Sequence, residues 1–169
     1  MDWRAGSILF WHGEPVRAAS ITLDGTRREL ISHPKRDIIG SQLSPDGRAV
    51  AFHTRIEGEH SQVFVARVPE SRPIQVENWI PATGVGLHGT GWWVSNTGLA
   101  FFNGTGLSLI QLDPRTLRPQ GTSSVLLPGP GAQVLFDGAT FFRKRRRTNG
   151  LQRHRDLQQH LDARSAIGV

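Results

Sequence analysis

The chain has no cysteine among its 169 residues, which excludes disulfides, thiolate metal centres and cysteine nucleophiles. No apolar run approaches the roughly 20 residues that span a bilayer. The opening residues, Met1-Asp2-Trp3-Arg4-Ala5-Gly6, lack the basic, apolar and small-residue succession of a signal peptide, so the cytoplasm is the default expectation for compartment. Catalytic motifs are missing as well. There is no Gly-x-Ser-x-Gly elbow, no Gly-x-x-x-x-Gly-Lys phosphate loop, and no kinase His-Arg-Asp or Asp-Phe-Gly. Histidines stand at 12, 33, 53, 60, 88, 154 and 160, none of them in His-Glu-x-x-His or another ligand spacing. His53 and His60 flank one loop and are candidates to meet across it. Gly84-Val85-Gly86-Leu87-His88-Gly89 and Gly104-Thr105-Gly106 read as turn glycines. No catalytic residue, cofactor or metal is expected from these patterns.

What the chain does contain is a repeated turn–strand unit, clearest over residues 41 to 68. In Ser44-Pro45-Asp46-Gly47, proline presets φ, the aspartate can bond its own backbone, and glycine accepts positive φ. Arg48 to Phe52 is a short apolar run bounded by turn signals, which predicts a strand. Glu57-Gly58-Glu59-His60 then reverses the chain. In the next strand Val63, Val65 and Arg67 fall on one face, and Phe64, Ala66 and Val68 on the other. Apolar residues on both faces predict a strand packed from both sides.

The unit recurs, and internal repeats outrank other sequence signals. Ser7-Ile8-Leu9-Phe10, Ala49-Val50-Ala51-Phe52 and Leu99-Ala100-Phe101-Phe102 are three equivalent apolar runs, their final phenylalanines 42 and then 50 positions apart. Second strands follow at Ala19 to Leu23, Gln62 to Val68 and Leu107 to Leu112. Third strands follow at Arg28 to Ile31 and Thr122 to Leu127. Ser95-Asn96-Thr97-Gly98 takes the place of Ser44-Pro45-Asp46-Gly47. The expected fold is all-β: a partial β-propeller of about three four-stranded antiparallel blades, near residues 1–36, 37–82 and 83–130. An antiparallel sandwich is the alternative.

Leu43 to Val68 resembles the WD-like repeat of TolB-type β-propellers, whose signature is a Ser-Pro-Asp-Gly turn, a short apolar strand and a loop. Val76-Glu77-Asn78-Trp79-Ile80-Pro81 and Leu112-Asp113-Pro114-Arg115-Thr116-Leu117-Arg118-Pro119-Gln120-Gly121 are similar to segments in the propeller halves of large bacterial proteins. In those, a kinase or winged-helix DNA-binding head precedes the propeller. The resemblance covers roughly residues 6 to 128. It implies a platform for protein contacts rather than any one activity, and it admits a periplasmic location. Closed propellers have four to eight blades, so three imply a fragment of a larger ring, or a ring completed by another chain.

Charge divides the chain at Phe142. Residues 1–142 carry 12 Lys+Arg against 12 Asp+Glu, while residues 143–169 carry 8 against 2 and so hold the whole net charge of +6. Arg143, Lys144, Arg145, Arg146 and Arg147 form a solid basic block, the candidate anion contact. Residues 143–169 are expected to be a solvated, disordered end or a short helix. They also have the composition of a shifted reading frame. Nucleic-acid binding through this tail would release counterions, yet no aromatics interleave for base stacking.

Trp92 and Trp93 are adjacent, so on a strand they point to opposite faces. With Trp79 they are the candidate protein contacts, core packing being the competing role. The expected function is a non-catalytic protein-interaction or sensor module, with an unknown protein partner or self-association through open blade edges. The alternatives are a propeller-class hydrolase or lyase, and a nucleic-acid binder acting through the tail.

Overall fold

Alternating apolar runs and short turns become twelve strands in a computed structural model, which describes residues 2–4, 6–58, 60–86 and 89–129. The basic block and the rest of the tail, together with Glu59, His88, His154 and His160, lie outside the described residues.

The strands are β1 Asp2–Arg4, β2 Ser7–His12, β3 Arg17–Thr22, β4 Arg27–Ile31, β5 Ile39–Leu43, β6 Ala49–Glu57, β7 His60–Arg67, β8 Ile80–Pro81, β9 Gly91–Trp93, β10 Gly98–Phe102, β11 Gly106–Leu112 and β12 Pro119–Pro128. They form three antiparallel sheets of four, each built from consecutive strands: β1 to β4, β5 to β8 and β9 to β12. The protein is therefore all-β. Its first sheet includes the opening residues, because β1 pairs with β2 from Asp2 opposite Leu9 to Arg4 opposite Ser7. Among the described residues the one helical segment is a 3-10 turn, Val76–Asn78.

The middle sheet is packed from both sides, as its alternation predicts. Val50, Phe52, Phe64 and Ala66 face the first sheet, meeting Leu9, Ala18, Leu30, Ile31 and Ile38. Ala49, Ala51, Val63 and Val65 face the third sheet, meeting Trp93, Leu99, Phe101, Ile110 and Leu112. Burying a side chain such as Phe52, which has no exposed surface, stabilises by roughly 1.5–3 kcal/mol. In the first seam Trp79 lies edge-on to Phe52, with ring centroids 4.9 Å apart, and tilted against Phe64 at 5.5 Å. In the second seam the approach at Gly91 is tight. A Cβ on Gly91 would sit 2.9 Å from Val63 Cγ1, so β9 can approach the middle sheet only with glycine there.

One expected equivalence shifts by a residue. Leu43 pairs with Val50 across a six-residue turn, but Trp93 pairs with Leu99 across a turn of five. Because side chains alternate, a one-residue slip exchanges faces. Phe52 therefore corresponds to Phe101, which faces the middle sheet, whereas Phe102 lies on the outer face with Ala100 and Leu107.

Candidate interaction surface

Short polar side chains close the turns and so fix the outline of the rim. The Ser44 hydroxyl donates to Asp46 Oδ1 at 2.6 Å and accepts from the Ala49 N–H at 2.9 Å. Asp46 Oδ1 also accepts the Arg48 N–H, and Gly47, at φ +73°, returns its N–H to the Ser44 carbonyl. Burial works against the charged form of Asp46, yet the Ser44 hydroxyl and the Arg48 N–H outweigh it and hold the carboxyl below its ordinary range. Asp24 is lowered by the Thr22 hydroxyl and the Thr26 N–H. Asp113 is lowered by the Thr116 N–H and hydroxyl and the Arg115 N–H. Each of these three carboxylates is committed to a turn. In the third sheet Ser95 Oγ accepts from Gly98 N–H at 2.8 Å, a smaller version of the Ser44 arrangement.

Two arginines staple neighbouring sheets along this rim. Arg28 of β4 donates to the carbonyls of Pro69 and Glu70, just past β7. Arg67, at the end of β7, donates to the carbonyls of Pro114 and Arg115, just past β11, at 2.9 and 2.6 Å. Both prolines stand two residues beyond their strands. Nothing in the sequence ties Arg28 to a loop 41 positions away, so these staples were invisible before the fold was known; only the matched placement of Pro69 and Pro114 hints at equivalent loops.

Two clefts open at the surface, the larger between the middle and third sheets and the smaller along the β7–β8 connection. One of about 420 Å3 is lined by Thr83, Phe101, Asn103, Ile110, Pro119 and Ser123, among others. The smaller, about 230 Å3, has Ile74, Ile80, Pro69 and Pro73 for walls and Arg67, Arg72 and Asn78 for polar groups. Asn103 and Thr83 already serve internal hydrogen bonds, to Ser108 and Thr105 and to Val63 and Gly84 respectively.

The tryptophans divide as follows. Trp93 is buried, donating its backbone N–H to Gln42 Oε1 at 2.8 Å and its indole N–H to the Gln42 carbonyl at 3.1 Å. Trp79 is buried in the first seam. Trp92, on the opposite face of β9, packs half-buried against Phe102 and Leu107 on the outer face of the third sheet. Of the three, Trp92 alone is placed where a partner could reach it. His53 and His60 do not meet as strand partners, since β6 and β7 set His53 opposite Val63 and His60 opposite Glu57. His33 lies against Trp79 and is lowered by burial and by the positive charges of Arg36 and Lys35. Among the described residues no three His, Cys, Asp or Glu side chains gather as a metal site, and no helix is long and apolar enough to cross a membrane.

Three consecutive four-stranded antiparallel sheets, the middle one packed between the other two, define the class: an all-β protein. No family model, curated protein or solved structure matches the chain.

Proposed function

We propose that this protein is a non-catalytic interaction module of the TolB-like propeller type, its three sheets serving as successive blades. One observation carries the reading: three meanders follow one another in sequence and stack in the same order, with the middle one covered on both faces. Repeats of this kind present loops and outer faces to partners while their cores only hold shape. The commitment of Asp24, Asp46 and Asp113 to turns supports the non-catalytic role, because a general acid or base needs a carboxyl free to exchange its proton with substrate. Trp92, half-buried over Ala100, Phe102 and Leu107, is the contact residue this reading favours, since aromatic residues with partial exposure are the common anchors of protein interfaces.

The test has two arms, both on the full chain. Partner capture by the wild type should be lost with Trp92→Ala while circular dichroism stays unchanged, and crosslinks should map to the third sheet. Turnover of an ester, phosphate-ester or glycoside probe in proportion to protein concentration would overturn the non-catalytic reading. The segregated charge of residues 143–169 supports one second reading, a polyanion contact. It predicts heparin retention that disappears when those residues are deleted and weakens steeply with salt.

A further inference from the structure

The fourth strand ends each sheet on one side, and these three edges differ in how they are defended. β4 carries Arg27, Arg28 and Glu29 within five residues, and β8 is two residues long and ends in proline. Charge, brevity and proline are the usual guards against edge-to-edge pairing. β12 has little of this. It runs ten residues, Pro-Gln-Gly-Thr-Ser-Ser-Val-Leu-Leu-Pro, with no charged side chain and every position exposed. Val125, Leu126 and Leu127 are 60%, 45% and 46% exposed. Among the described residues β12 pairs on one side, with β11, and its prolines stand at its two ends. Two register shifts in that pairing bend the strand but supply no repulsion.

We propose that β12 is a homodimer edge, on which a second copy of the chain adds its own β12 in antiparallel register. The proposal deepens the interaction-module reading by naming one partner and one surface. Self-pairing suits this strand for a reason of charge. A two-fold axis through Ser124 sets Gln120 opposite Pro128 of the partner subunit and Val125 opposite Ser123 of the partner subunit. No like charges then face one another, the commonest obstacle to a symmetric strand pair. The same operation on β4, about its central Glu29, would set that carboxylate opposite its own copy. Pairing also gives the free backbone N–H and C=O groups of a strand about 34 Å long partners other than water, and covers the apolar trio.

The experiment uses the full chain. Light scattering should give a dimer for the wild type and a monomer for the Val125→Lys/Leu127→Lys double variant, with the same circular dichroism. The chain's lack of cysteine allows a direct geometric test: Ser124→Cys should give a disulfide dimer under mild oxidation, and Ser71→Cys, on an exposed loop, should not. The cysteine result stands even if the lysine variant fails to fold. A wild type that is monomeric at every concentration, a dimer that survives both lysines, or Ser124→Cys that crosslinks no better than Ser71→Cys would overturn the proposal. A monomer that still loses its partner on Trp92→Ala would end this inference and leave the interaction-module reading standing.

Discussion

The two seams of the molecule are held by different means. The seam between the first and middle sheets is filled by volume: Phe52, Phe64 and Trp79 form an aromatic cluster backed by Leu9, Leu30 and Ile31. The seam between the middle and third sheets is made by proximity. Small residues, Ala49, Ala51 and Gly91, let the sheets close on one another, and a polar stitch from Gln42 to Trp93 fixes their offset. The middle sheet therefore offers bulk on one face and smoothness on the other. A seam of the first kind fails by leaving a hole; a seam of the second kind fails by being wedged apart.

Truncation at Phe52 should be the severest lesion. Phe52→Ala removes the ring on which Phe64 and Trp79 both pack, with an expected loss of about 3–5 kcal/mol, read from the urea-unfolding midpoint. The matching truncation in the second seam, Val63→Ala, should cost less, and equal costs would erase the distinction between the seams. Wedging comes next. Gly91→Ala puts a methyl against Val63 Cγ1 and should cost about 1–3 kcal/mol; the double variant Gly91→Ala/Val63→Ala should recover part of it, which a purely conformational effect of losing glycine would not. The polar stitch ranks third. Gln42→Ala leaves the Trp93 backbone N–H without its acceptor and should cost about 1–2 kcal/mol, accompanied by a shift of tryptophan fluorescence.

The smallest effect concerns pH. The Asp46 carboxyl is lowered in the folded protein, so the unfolded chain binds its proton more readily and folding is favoured while the group is ionised. That contribution is complete above the unfolded value near 3.9 and fades as pH falls through the lower folded value. Asp46→Asn should flatten this part of the acid-unfolding profile and leave the pH dependence between 7 and 8 as it is in the wild type.

How far the fold could be read beforehand depended on whether a signal was local. The Ser44–Gly47 turn and the alternation of Val63 to Val68 are local, and both faces of that strand emerged as their pattern indicates. The short first strands, β5 and β9, have too few residues to show a period, and β8 is a mere two. The mismatch of Phe102 with Phe52 arose because turn length differs between the middle and third sheets, a property that emerges only when the strands are paired. Of the candidate contacts, adjacency alone fixed that Trp92 and Trp93 diverge. Which of them is buried depended on the Gln42 carbonyl and side chain, some fifty residues away.

The order in which the sheets are made has a consequence for a chain still on the ribosome. Once Pro81 has emerged, the middle sheet is whole and can lie at once on the first, which emerged before it. Its other face, Ala49, Ala51, Val63 and Val65, must wait for Leu112. At about 5–20 residues per second that wait is about 2 to 6 seconds, during which an apolar surface stands uncovered. Its small side chains make it the less adhesive of the two faces, and it is the one left for last.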